Sequence, residues 1–343
     1  MDRQQRLDAV VAAIHSLAAH PRAQTLGDGL SAPMAQACLE SSCARLDRAS
    51  LDLASDVPGR PPTVAGVVAA RGVFTAPLEW VALLAAAGSQ VVLKAPAAAP
   101  HFGEAIAACF TAHGLEVRCT TARELPPVDA LVAMGNDQTI AALAQRHPRA
   151  RLSLHGHRFS LAVVAGAGAE LAHQLALDAL LYDGRGCFTP VAVLHTGPLD
   201  DAERLTTRLA EQLLAVSRRL PAGARDPLLG PEWRRRTGLA RALGALRHDS
   251  PPATALLDPA HFEAAALPGF LPVHSVRDPA EIDALLTPWR PWLAACATDH
   301  RDPSALQRLG FERLCRPGAL QEPTIPRRHG GREMLRPLML LEL

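Results

Sequence analysis

The chain has 343 residues, 48% apolar and 20% charged, with 35 basic side chains against 34 acidic ones. That length holds two modest domains with real cores, and that apolar content excludes a disordered chain. A formal net charge of +1 excludes a large nucleic-acid footprint, and the Arg234–Arg236 run reads as solvated surface. Seven widely spaced cysteines, an odd number with no CxxC pair, exclude a disulfide framework and give no zinc signal, so no metal is expected. The polar opening Met1–Arg6 is no signal core, and no stretch is long and apolar enough for a membrane span. A reducing, cytoplasmic location is the expectation.

Leu7, Val10, Val11, Ile14 and Leu17 recur at helical spacing, so the chain opens on an amphipathic helix. Asp56–Pro62 breaks structure and reads as a linker. Short apolar strands then alternate with helices. Val64–Ala70, Gln90–Lys94, Leu115–Cys119, Ala130–Ala133 and Leu161–Ala165 read as strands, and Pro77–Ala87, Phe102–His113 and Asp137–Gln145 as helices. This alternation implies an α/β fold with mostly parallel sheets flanked by helices.

Leu171, Leu175 and Ala179 mark a helix that runs into Tyr182–Pro190, and Val191–Leu194 reads as a strand. Leu205, Leu209, Leu213 and Val216 mark the next helix. Residues 221–260 read as irregular with short helices, Leu271–Val276 as a strand and Glu281–Leu286 as a helix. The apolar tail Met334–Leu343 reads as a strand added to a sheet edge. The expected division is 1–155 for the N-terminal helices and a cofactor-binding domain, 156–305 for a catalytic domain, and 306–343 for a returning segment.

The chemistry concentrates at Cys187. Gly184 and Gly186 flank Arg185 just before it, which sets a thiol on a tight turn at the edge of a sheet, among backbone N–H groups, with a cation two residues away. Read alone, one cysteine among seven is as readily a core residue. Gly135-Asn136-Asp137 precedes a helix, where free N–H groups bind phosphate, although Asp137 is equally an N-cap whose charge opposes a pyrophosphate. Lys94 ends a strand, where by itself it reads as a solvated lysine. Gly166-Ala167-Gly168 lacks the third glycine of a dinucleotide fingerprint and reads as the start of a helix.

Three stretches together resemble the aldehyde dehydrogenase superfamily and, within it, the LuxC-type acyl-CoA reductases. Gly66–Lys94 resembles the first pair of cofactor strands, the second ending in a lysine near the adenosine ribose. Val132–Ile140 resembles the reductases' Gly-Ser-Asp-Glu-Thr motif, and Tyr182–Pro190 is close to their Tyr-Asp-Gln-Gln-Gly-Cys-Leu-Ser-Pro motif. Leu154–Ser160 and Arg313–Gly331 add support, so the resemblance covers roughly 60–343, with an N-terminal part shorter than in typical members.

The resemblance implies an aldehyde dehydrogenase-like fold and an acyl-CoA reductase. It would form an aldehyde through a Cys187 thioester, with NADPH as hydride donor and an acyl-CoA or other acyl thioester as partner. A homo-oligomer, a dimer, goes with it. Lys94, Gly135 and Asn136 become cofactor contacts. Thr75 falls where the superfamily has an oxyanion-binding asparagine; it is a shorter donor or an ordinary loop residue. The segment that carries the general-base glutamate in aldehyde-oxidising members is here Leu154–Arg158, without a carboxylate, which favours acyl transfer and reduction over hydrolysis to an acid. His157 in that segment is a candidate acid–base or a structural histidine. A cysteine-dependent acyltransferase or thioesterase without hydride transfer, and a catalytically silent binding subunit, stay open beside this reading.

Overall fold

The computed structural model describes every residue except Arg225, Gly330, Gly331 and Leu341–Leu343. Asp2 opens helix α1 (Arg3–Ala18): its carboxylate accepts from the Gln5 N–H while the Gln5 side chain accepts from the Asp2 N–H. Two donors that the helix leaves unpaired are thereby satisfied. Helices α2 (Ala32–Ala44) and α3 (Arg48–Ser55) follow, neither expected from the sequence. In α2 the buried face is Met34, Ala35, Cys38, Leu39, Ser42 and Cys43, a stripe at helical spacing made mostly of small residues.

The chain divides into two compact units. The first comprises Met1–Asp28, Ala35–His157 and Glu322–Leu343; the second comprises Gly29–Met34 and Arg158–Gln321. This places 306–321 with the second unit, whereas the expected returning segment began at 306. The physical reason is a strand in that stretch that pairs into the second sheet.

In the first unit the order is β1 (Val64–Val68), α4 (Ala76–Ala87), β2 (Gln90–Lys94), α5 (His101–Ala112), β3 (Val117–Thr120), β4 (Ala130–Met134), α6 (Asp137–Arg146) and β5 (Arg151–His155). The sheet is parallel in the order β3-β2-β1-β4-β5. Gly88 stops α4 in the left-handed conformation at φ +104°, which a side chain would strain. Helix α1 packs on α4 and α5.

The second unit runs β6 (Phe159–Val164), α7 (Ala169–Leu180), β7 (Pro190–His195), α8 (Leu199–Arg219), α9 (Gly230–Ala242), β8 (Leu246–Arg247), β9 (Ala253–Leu257), β10 (Phe270–Ser275), α10 (Pro279–Leu286), β11 (Leu293–Thr298), α11 (Ser304–Arg308) and β12 (Arg313–Cys315). The sheet order is β12-β11-β6-β7-β10-β9-β8, parallel throughout except for the β8–β9 pair. Alternate strand residues serve opposite faces. Ala162, Val164, Val193 and Val273 share a core with Leu175 of α7 and Leu205, Leu209 and Leu213 of α8. Leu161, Val163, Leu194 and Cys296 share another with Ile282 and Leu286 of α10 and Leu306 of α11. Both faces are covered, so these strands read as unbroken apolar runs.

Two expectations fail here. Residues 221–260 hold α9 and β9; Arg-rich α9 lacks an apolar stripe, which hid it. The tail is not a strand over its described residues. It makes a 3₁₀ turn at Arg336–Leu338 and one bridge from Leu340 to Arg60, and the rest of the expected strand lies outside the described residues. Before it, β13 (Arg328–His329) and β14 (Arg332–Glu333) pair antiparallel in the first unit.

Candidate active site

The helix α7 ends at Leu180, and the chain turns sharply through Tyr182 and Asp183, both at φ 56°, before Gly184 at φ 68° and Gly186 at φ 104°. Two non-glycine residues in the left-handed region cost on the order of 1–3 kcal/mol each and persist only where the surroundings hold them. They are held: Tyr182 is buried and its carbonyl accepts from the Arg185 N–H, while the Asp183 carboxylate accepts from the Gly223 N–H at 3.1 Å. A Cβ on Gly184 would stand 3.0 Å from the Ala179 carbonyl oxygen, so that turn also needs its glycine.

Cys187 follows, partly buried, at the N-terminal mouth of β7. β7 lies between β6 and β10, so the loop that carries Cys187 leads into an inner strand of the sheet and not into an edge strand. Its backbone is pinned. The Ser160 hydroxyl donates to the Cys187 carbonyl at 2.7 Å and accepts from the Ala295 N–H at 3.1 Å, which ties the cysteine to β6 and β11 at once. Thr189 closes the loop, its N–H on the Gly186 carbonyl and its hydroxyl on the Arg185 carbonyl. Arg185 turns its guanidinium to Asp183 at 3.5 Å and to the Ala224 carbonyl at 3.1 Å, so its charge is shared with a carboxylate and does not serve the thiol alone. Burial pushes the thiols of Cys43 and Cys315 up to about 12 and about 11, and raises those of Cys109, Cys119 and Cys296. Burial thus favours the neutral thiol in all five.

Two further residues behind this loop escaped the sequence. Asp178, on the last turn of α7, is fully buried, and its carboxylate accepts from the Gly318 and Leu320 N–H groups at 2.7 and 2.9 Å. Desolvation pushes its pKa up to about 7 against those bonds. Gln321 donates from one amide nitrogen to the Asp178 carbonyl and to the Thr189 hydroxyl. The available signal was an acid three residues past Leu175, on the apolar stripe of α7.

In the first unit, β1 pairs with both β2 and β4, and the chain visits β2 and β3 before crossing back to β4. The carboxyl ends of β1 and β4 thus form a topological switch point, the usual place for a ligand in such sheets. Beside it, at the carboxyl ends of β1 and β2, a shallow cleft is lined by Arg71, Phe74, Leu93, Pro96, Phe102 and Gly103, among others. A Cβ on Gly103 would stand 2.9 Å from Ala95 and Cys119, so glycine is what lets α5 lie this close. Asp28 holds Arg71 at 3.2 Å.

Lys94 ends β2 and donates to the Ala122 carbonyl. Gly135 follows β4, its N–H on the His155 carbonyl. Lys94 and Ala133 flank Val68 on opposite sides, so the lysine and the Gly135–Asn136 turn lie two strand spacings apart, roughly 10 Å. Asn136, not Asp137, is the N-cap of α6, accepting from the Thr139 N–H at 2.8 Å. Asp137 instead reaches the Leu154–Arg158 segment, where its carboxylate accepts from the His157 N–H at 3.0 Å. A Cβ on Gly156 would stand 2.3 Å from that oxygen, which explains the glycine. The His157 side chain is exposed. Thr75 begins α4 with its hydroxyl buried, accepting from Ser42 at 2.9 Å. Thr75, Lys94, Gly135, Asn136 and His157 all belong to the first unit, and Cys187 to the second.

The Gly166-Ala167-Gly168 run needs no ligand. Asp299 accepts from the Ala165 and Gly166 N–H groups at 2.9 and 2.8 Å, and a Cβ on Gly166 would stand 2.8 Å from that carboxylate. An internal anion already fills the place of a phosphate.

Comparison with known proteins settles the family. The sequence model of the acyl-CoA reductase family LuxC matches residues 121–341, well over half of the chain. The chain belongs to the LuxC acyl-CoA reductase family. It is therefore an oxidoreductase of the acyl-CoA reductase, aldehyde dehydrogenase-like type. No curated protein matches the sequence significantly. Solved structures show the aldehyde dehydrogenase fold. An oxidoreductase from Marinobacter aquaeolei matches with a TM-score of 0.75 at 16% identity, over 96% of this chain and 80% of that one. An NAD-dependent benzaldehyde dehydrogenase from Corynebacterium glutamicum matches at 0.74 and 16%, over 92% and 82%. A cysteine-to-alanine mutant of aldehyde dehydrogenase C from Pseudomonas syringae, solved with NAD+ and octanal, matches at 0.71 and 16%, over 92% and 77%. In this LuxC-family chain no helix among the described residues is long and apolar enough to cross a membrane, and none of those residues form a His, Cys, Asp and Glu cluster able to hold a metal.

Proposed function

We propose that this chain reduces an acyl-CoA to the corresponding aldehyde, with Cys187 as nucleophile and NADPH as hydride donor. The observation that carries the reading is Cys187 itself. It follows a turn strained at two non-glycine residues and is pinned through Ser160 to two neighbouring strands. That outlay of order on one partly buried thiol fits a nucleophile better than a packing residue.

The Cys187 sulfur attacks the thioester carbonyl. A carbon–sulfur bond forms to the enzyme, the bond to CoA breaks, and CoA leaves as a thiolate that takes up a proton. The Cys187 N–H donates to the developing oxyanion, with the Thr75 hydroxyl, oriented by Ser42, as second donor. NADPH, when bound, supplies the hydride that reduces the enzyme thioester. Cys187 then departs as a thiolate and the aldehyde is released. The first unit fits such a dinucleotide: it is a parallel sheet with a switch point, an adjacent cleft, and Lys94 and Arg71 for ribose and phosphate. Gly135 and Asn136 would form the opposite wall, with Asn136 setting the direction of α6. His157 is the proposed proton donor. The Leu154–Arg158 segment brings no carboxylate of its own, and Asp137 is engaged there by an N–H, which supports stopping at the aldehyde. A cytoplasmic homodimer completes the proposal.

The test uses octanoyl-CoA, an eight-carbon probe suggested by the octanal in the aldehyde dehydrogenase C complex. We expect octanoyl-CoA to drive NADPH oxidation and release octanal, NADH to work less well, and Cys187→Ala to be inactive. Acylation of the protein without NADPH oxidation would favour the acyltransferase reading. Reduction that survives Cys187→Ala would overturn the nucleophile.

A further inference from the structure

Hydrogen bonds and short covalent steps join the loop that carries Cys187 to the C-terminal part of the second unit. The Asp178 carboxylate takes the N–H groups of Gly318 and Leu320 on its two oxygens. Arg313 holds the same turn from the other side, donating to the Ala319 and Leu320 carbonyls, and its guanidinium lies 5.1 Å over the ring of Phe188. Gln321, buried, leaves the turn and donates to the Asp178 carbonyl at 3.1 Å and the Thr189 hydroxyl at 3.2 Å. Thr189 passes the constraint to the Arg185 and Gly186 carbonyls. Phe188 and Thr189 are the two residues after the nucleophile. Gly318, at φ +88°, packs on Gln174 of α7, where a Cβ would stand 1.8 Å from the amide oxygen, so the turn is seated on the helix that carries Asp178.

We infer that Asp178 is a positioning residue for Cys187, acting through the Gly318–Gln321 turn, Gln321 and Thr189. This rests on the reading of Cys187 as the nucleophile. Only an ionised carboxylate offers both oxygens as acceptors to both N–H groups; a protonated one, or an asparagine, turns one of its positions into a donor facing a donor. The thiol is therefore best placed when Asp178 is charged.

Burial brings that ionisation to about pH 7, inside the working range of an enzyme. Two other ionisable groups act on Asp178, Arg313 and Cys315. Arg313 stays cationic, and Cys315 is held neutral to about 11. On α8, packed along α7, Arg208 is bound to the Ala167 carbonyl and Arg219 to His173, both on the N-terminal half of α7 or just before it.

The experiment is the single-turnover rate of acylation by octanoyl-CoA, from about pH 6 to about pH 9, on the full chain, with circular dichroism to confirm folding. In the wild type we expect the rate to rise through about pH 7, apart from the titration of the thiol itself. In Asp178→Asn that step should vanish, and the rate at high pH should fall by roughly tenfold to a hundredfold, the scale of a misplaced reacting group. Gln321→Ala keeps the carboxylate and cuts the link. It should be slow at every pH while the octanoyl-CoA concentration giving half the maximal rate changes little. A folded Asp178→Asn with the wild-type rate and profile would overturn the inference. If Asp178→Asn does not fold, wild-type rates in Gln321→Ala overturn it instead. Absence of acylation in the wild type at every pH would refute the nucleophile reading itself, so the two failures are distinguishable.

Discussion

Asp178 makes a prediction about stability as well as rate. Its pKa in the folded chain is about 7, against an ordinary value near 3.8. Between those values the folded chain binds more proton than the unfolded one, so stability falls as pH rises. The contribution is full below about pH 4 and is lost as pH rises through about 7, with an upper scale of roughly 4 kcal/mol. Urea unfolding at about pH 5 and about pH 8 should show this loss in the wild type, and Asp178→Asn should remove most of the difference. A wild type equally stable at both values would contradict the assignment. Thr75 gives a second test. Its hydroxyl accepts from Ser42, so Thr75→Val should slow acylation by about 10²-fold if it is an oxyanion donor, and Ser42→Ala should produce a smaller effect in the same direction. If neither matters in single-turnover acylation, the oxyanion is held by backbone N–H groups alone. Cys187 stood out in the sequence because two glycines and a motif surround it. Ser160, Asp178 and Gln321 did not, because they reach the loop across 27 residues or more, or through the far end of a helix, and no local pattern encodes such contacts.

At the scale of elements, the strand–helix alternation was legible in β1, β2, β4, β7 and β10, all largely buried, but not in the equally buried β11, whose Leu-Ala-Ala-Cys-Ala-Thr run is made mostly of small residues. It failed for β5, an edge strand with an Arg-Leu-Ser-Leu-His pattern and partial burial, and for α9, whose Arg234–Arg236 run hides the helix. The Arg-rich surface reading was itself incomplete, since Arg236 is buried, donating to the Ala265 carbonyl and Glu232. The tail was misread because its apolar residues are buried by a turn and not by a sheet: Leu335, Leu338 and Met339 are buried around Arg336–Leu338. One ion pair fastens this segment. Arg327 meets Glu79 of α4 in a bidentate pair, both side chains nearly buried. Arg327→Met leaves Glu79 buried and uncompensated, which should cost about 3–5 kcal/mol. Adding Glu79→Met should recover much of that loss in thermal unfolding. A single mutant with wild-type stability would show that the pair does not anchor the tail.

For the molecule as a whole, the fold and family agree with an acyl-CoA reductase, and the proposed cofactor contacts and the proposed nucleophile lie on different units. The first holds the nucleotide-type sheet and its cleft, the second the strained loop with its thiol. Five other cysteines are raised by burial, and the sixth, Cys38, is buried. The account therefore requires one reactive thiol in the whole chain. The direct measurement is intact and peptide mass after mixing with octanoyl-CoA in the absence of NADPH. The account predicts one octanoyl group per chain, removable by hydroxylamine, mapped to the peptide that contains Cys187, and discharged as octanal when NADPH is added. An acyl group on any other cysteine, or the same labelling in Cys187→Ala, would contradict it.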